Sequence, residues 1–99
     1  MLYNWAAENP DAVACIAGIY PVCNLESYPG LAKAGRAYGL SEARLQSELR
    51  KHNPIDRLAP LARAKVPILH LHGDRDRVVP LAANSGELHR RYVALGGPM

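Results

Sequence analysis

The chain has 99 residues, 48% hydrophobic and 21% charged, a balance that fits one globular α/β-sized unit rather than a disordered or fibrous chain. Twelve Lys and Arg against nine Asp and Glu leave a formal net charge of +3. The basic residues are scattered, with only Trp5 and five tyrosines as aromatic platforms, so a nucleic-acid partner is not expected.

Leu2, Trp5, Ala6 and Asn9 fall at helical spacing, and Pro10 stops that helix. No N-cap residue precedes it, so the chain is expected to open inside a helix. Ala12 to Val22, AVACIAGIYPV, is apolar and rich in β-branched residues on consecutive positions, which predicts a strand buried on both faces of a parallel sheet. Within it Cys15 reads as a small core residue, whereas Cys23 lies in a loop and reads as a free thiol; two cysteines at this spacing make neither a disulfide framework nor a zinc knuckle.

After the loop NLESYPG, helices are predicted over Leu31–Tyr38 and Glu42–Lys51. Ser41 caps the second, Glu42 sits in its first turn, Arg50 and Lys51 sit in its last, and Leu45 and Leu49 form a short apolar stripe. The stretch 24–52 is long for one crossover and is read as a small helical cap. Asn53 and Pro54 start a further helical turn with Ile55, Leu58 and Ala59 facing inward, and Pro60 is expected to break it. Val66–His72 is the second buried strand. A loop over Gly73–Val79 follows, and Pro80 opens a long helix whose inner side carries Leu81, Leu88, Tyr92 and Leu95, with Gly96 as its C-cap. The pattern calls for a third strand at GGPM.

Strands alternating with helices argue for an α/β fold with two parallel strands and flanking helices. Two strands are few for a whole sheet, so residues 1–99 are expected to form a single partial domain, with both ends cut and self-association through its exposed edges. No run of about 18 apolar residues is present to span a membrane, and no charged segment followed by an apolar stretch marks a signal peptide.

Chemistry in open α/β sheets gathers at the carboxyl ends of the strands. Asp74 and Asp76 lie just past the end of the second strand, where a carboxylate can orient a histidine or can simply form a turn. The segment VPILHLHGDRDRVVP resembles the acid loop of the α/β-hydrolase family, in the branch of prolyl-oligopeptidase-like peptidases and related esterases. MLYNWAAENPDAVACIAGIYPV resembles the helix after that family's nucleophile elbow and the strand that follows. NPIDRLAPLARAKVPILHLHG resembles the approach to the acid strand, and NSGELHRRYVALGG the helix after it.

The resemblance implies a partial α/β-hydrolase fold and a serine hydrolase acting on a small ester or peptide through an acyl-enzyme, with Asp76 as the catalytic acid, Asp74 in the spacer, and no cofactor. The family's Gly-x-Ser-x-Gly elbow is absent from the chain. Ser27, Ser41, Ser47 and Ser85 are not at a strand-to-helix elbow, and His89 reads as a solvated helix position. Since the triad order in this fold is serine, acid, histidine, the chain is expected to supply the acid alone and to be inactive by itself.

The rival reading is metallic. His70 and His72, two apart on a strand, point to one face and could share a zinc, as in the partial likeness of HLHGDRD to metallo-β-lactamase-like hydrolases. His70 is more simply a hydrogen-bonded core residue, so no metal is expected. A third reading is a non-catalytic interaction module.

Overall fold

The computed structural model describes residues 2–99. Helix α1 (Leu2–Glu8) leads through a 3₁₀ turn at Pro10–Ala12 into strand β1 (Ile16–Ile19). Three short helices follow, α2 (Leu31–Tyr38), α3 (Glu42–Ser47) and α4 (Leu49–His52). A second 3₁₀ turn at Pro54–Asp56 and helix α5 (Ala59–Arg63) then lead to strand β2 (Ile68–Leu71). A π-helical turn over Ala82–Gly86 runs into the last helix, α6 (Glu87–Ala94). The π register is visible in the Gly86 amide, which reaches back five residues to the Leu81 carbonyl at 2.7 Å.

The two strands are parallel, as their separation by helices requires. Ile16 stands opposite Ile68, Ala17 opposite Leu69, Gly18 opposite His70 and Ile19 opposite Leu71. Amides at Ile16 and Tyr20 extend the ladder to the carbonyls of Pro67 and Leu71. A Cβ at position 18 would come within 3.1 Å of the His70 ring, so glycine there makes room for the imidazole across the sheet.

The strands are shorter than the apolar runs suggest, and they are covered on one face only. Ile16 and Ile68 are buried, while Ile19, Leu69 and Leu71 are 73%, 62% and 58% exposed. The consecutive apolar residues that predict burial on both faces therefore meet helices on a single side. Cys15 falls in the extended segment before β1 and is exposed, a correction to its expected place in the core, and Cys23 is the buried one.

The main core joins Tyr3 and Ala6 of α1, Ile16 and Ile68 of the strands, Leu61 and Ala62 of α5, and Leu88 and Tyr92 of α6. Leu95, expected on the inner side of α6, is 51% exposed beyond its end. Tyr92 is fully buried and donates its hydroxyl to the Val66 carbonyl at 2.5 Å, satisfying its one polar atom in the core. Pro60 lies in the first turn of α5, where its missing N–H costs nothing, and it starts that helix rather than breaking it.

The stretch 24–52 has a small core of its own. Leu25, Ala34 and Leu45 are buried, with Val22, Leu31, Tyr38, Leu40 and Leu49 against them. Ser41 caps α3 as its sequence position predicts, accepting the Arg44 amide at 3.1 Å.

Candidate active site

The loop after β2 is built around one carboxylate. Asp76 Oδ1 accepts the amides of Val78 and Val79, each at 2.9 Å. The Val79 amide is the main reason the Asp76 carboxyl lies below the usual aspartate range; the Val78 amide and the neighbouring His72 add to it, against a smaller opposing effect of burial. Asp76 is therefore ionised at neutral pH, with its side chain 16% exposed. Among the described residues no hydrogen bond reaches Oδ2, and His72 Nε2 lies 3.6 Å from it. Asp74, two residues earlier, is exposed in the turn.

The covered face of β2 continues Ile68, His70, His72, and both imidazoles turn toward α1 and the π turn. His72 Nε2 lies 2.6 Å from the Val79 carbonyl, and its Nδ1 lies 2.8 Å from Ser85 Oγ. His70 Nδ1 reaches the same hydroxyl at 2.9 Å, and its Nε2 lies 2.6 Å from the Tyr3 hydroxyl.

Donors and acceptors fix the direction of this chain. A carbonyl only accepts, so His72 Nε2 carries a proton and donates to Val79. In neutral His72 the Nδ1 then accepts the Ser85 hydroxyl proton. Ser85 has one proton to give, so His70 donates to it through Nδ1 and accepts the Tyr3 proton at Nε2. Every polar group from Tyr3 to Val79 is satisfied. Burial, with the nearby His72 adding, lowers the His70 pKa to about 4, keeping that ring neutral, and burial raises the Tyr3 pKa, keeping its phenol protonated. All four ring nitrogens are engaged by protein groups, which leaves no lone pair of the two histidines for a shared zinc. Among the described residues no three His, Cys, Asp or Glu side chains gather as a metal-binding group.

The segment after β1 meets the same region. Tyr20, at φ +48, turns the chain off the strand and lays its ring 5.4 Å from that of His72. Gly73 permits this, since a Cβ there would stand 3.2 Å from the Tyr20 ring. Asn84, fully buried, then clasps the segment: its Oδ1 accepts the amides of Cys23 and Asn24 at 2.9 Å, and its Nδ2 donates to Ser27 Oγ and the Pro80 carbonyl. Asn53, also buried, accepts the Leu25 amide at 3.0 Å.

Of the residues singled out from the sequence, Asp76 and His72 come together at the loop and His70 lies behind them; Asp74 is exposed in the turn, and His89, exposed on α6, lines a groove of about 290 Å³ with His70, His72 and Ser85. The sequence does not single out Tyr3 or Asn84; Ser85 reads there only as a serine away from an elbow, and Asn53 as the start of a helical turn, whereas its side chain makes no cap and binds the Leu25 amide. A signal existed for two of them: positions 84 and 85 lie between Leu81 and Leu88 on the inward stripe, where a polar residue must find a buried partner. Two surface grooves of about 720 Å³ each lie by α4 and do not include Asp76. Among the described residues no helix is long and apolar enough to cross a membrane. Comparison with family models, with curated proteins and with solved structures finds no match.

Proposed function

We propose that this chain carries the acid of a serine hydrolase built on an α/β-hydrolase fold, with Asp76 as the acid and the serine and histidine supplied by residues outside 1–99. One observation supports it most: an ionised carboxylate just past the carboxyl end of a parallel strand, with one oxygen held by two backbone amides and the other not hydrogen-bonded. A turn-forming aspartate needs only the first oxygen. The second suits the Nδ1–H of an imidazole, fixing its tautomer and stabilising the cation that forms when it takes the serine proton. The serine then attacks an ester or peptide carbonyl, and the histidine returns the proton to the leaving group. Substrate choice lies in the surrounding loops, for which the helical stretch 24–52 is the candidate cap.

The test has two parts. The coding sequence flanking these residues should encode Gly-x-Ser-x-Gly upstream and a histidine downstream. The 99-residue chain itself should turn over p-nitrophenyl esters no faster than buffer, since loss of the serine or histidine of such a triad costs on the order of 10⁶ in kcat. A flanking frame with no serine elbow, or turnover by the isolated chain that is lost in Asp76→Asn, would remove the proposal.

A further inference from the structure

Residue Val79 is held through both of its backbone polar groups, which belong to the two peptide units flanking its Cα. Its N–H donates to Asp76 Oδ1 at 2.9 Å, and its C=O accepts His72 Nε2–H at 2.6 Å. The His72 side chain is 1% exposed, is anchored on the far side by Ser85, and stands 3.6 Å from the second oxygen of the same carboxylate. An imidazole used only to fill space would not need both nitrogens committed to the loop and to the helix that follows it.

We infer that His72 is the positioning residue of Asp76: it anchors the backbone of Val79 at the carbonyl, and the N–H of the same residue holds the carboxylate in its direction. The role follows from the two-ended grip. The carbonyl and the N–H lie in the two peptide planes on either side of the Val79 Cα, so with the carbonyl tied to His72 only the φ and ψ of Val79 remain to reorient its N–H. That N–H is the largest influence on the Asp76 carboxylate. Because His72 donates through Nε2, only the Nε2–H tautomer performs this task. Ser85 reinforces that tautomer by donating to Nδ1, and Tyr3 and His70 complete the chain behind it. The word acid rests on the hydrolase reading; the geometric link between His72 and Asp76 does not.

The experiment is NMR on the isotopically labelled 99-residue chain, with no turnover measured, so that failure of the hydrolase reading and failure of this inference are seen separately. In the wild type the His72 nitrogens should show the Nε2–H tautomer, and Asp76 should titrate below an ordinary aspartate. His72→Leu should raise the Asp76 midpoint by about half a pH unit or more, because the Val79 amide loses its alignment. His72→Gln, which restores a donor near the Nε2 position, should recover most of that difference. Tyr3→Phe removes a bond from the far end of the same chain and should leave the Asp76 titration in place.

An Nδ1–H tautomer at His72 would overturn the inference. So would an unchanged Asp76 midpoint in folded His72→Leu, or an equal displacement in Tyr3→Phe. If His72→Leu fails to fold, the wild-type tautomer and the His72→Gln titration decide: an Nε2–H tautomer with Asp76 near its wild-type midpoint in folded His72→Gln supports the positioning role, and either the Nδ1–H tautomer or an ordinary aspartate midpoint in that variant defeats it.

Discussion

Two segments leave the carboxyl ends of two paired strands, and they are held in different ways. After β1 the chain is tied by neutral amides: Asn84 and Asn53, both buried, accept the backbone N–H groups of Cys23, Asn24 and Leu25. After β2 it is tied by an ionised carboxylate at the rim and an imidazole behind it. A segment that only needs fixing can be fixed by amides, which satisfy buried donors without the cost of burying a charge. A carboxylate with one oxygen tied and the other near the surface serves the loop and keeps an acceptor in reserve. The contrast separates a structural clasp from a candidate reacting group.

The clasp should dominate stability. Asn84→Ala leaves the buried Cys23 amide and the part-buried Asn24 amide without their partner, and should cost on the order of 3 kcal/mol in urea unfolding. It should do so without moving the Asp76 titration. A cost below about 1 kcal/mol would mean that water replaces the amide and the clasp is not structural. Asn53→Ala serves a single amide across a 3.0 Å bond and should cost less, about 1–2 kcal/mol by the same assay.

Acid should act next, through His70. Its folded pKa is about 4 against an ordinary 6.5, so between those values the unfolded chain binds the extra proton. Stability rises with pH across this window: the contribution is fully present above about 6.5 and is lost as pH falls toward about 4. The slope assigned to His70 can be no steeper than one proton, and His70→Asn should flatten it. The carboxylate contributions act lower. Glu87, held by Arg90 and Arg91 down to about 2, loses its contribution between its ordinary 4.5 and that value. An unchanged slope in folded His70→Asn would show that the ring is not the group taking up the proton.

The smallest effect is expected at the carboxylates themselves. Asp76→Asn keeps an oxygen for the Val78 and Val79 amides, so its urea midpoint should shift less than that of Asn53→Ala, and Asp74→Asn should not shift it measurably. A loss in Asp76→Asn as large as that in Asn84→Ala would erase the distinction between the two segments.

Much of this arrangement was legible in the sequence. Alternation put His70 and His72 on one face, and the spacing of the loop put Asp76 beyond the strand end, as the coordinates have it. Periodicity, however, says which side chains share a face and not which face is covered. Ile19, Leu69 and Leu71 are as apolar as Ile16 and Ile68, yet they are exposed, and Cys15, expected in the core, is exposed as well. Ser85 could not be matched to the histidines because the meeting depends on a π turn that shifts the helix register by one residue, and nothing in AANSG announces it. Beyond the nearby Pro80 carbonyl, Asn84 finds its partners 57 to 61 positions away, a separation no local pattern encodes.

The most direct test of the central claim, that Asp76 and not Asp74 is the acid, is the ester hydrolysis rate of the protein completed with its flanking sequence. Asp76→Asn should lower kcat by roughly 10⁴, because an amide cannot hold the histidine in the tautomer that accepts the serine proton. Asp74→Asn should stay within about tenfold of the wild type, since an exposed carboxylate in the turn acts only through a screened field. A larger loss at Asp74 than at Asp76, with both variants folded by circular dichroism, would contradict the account.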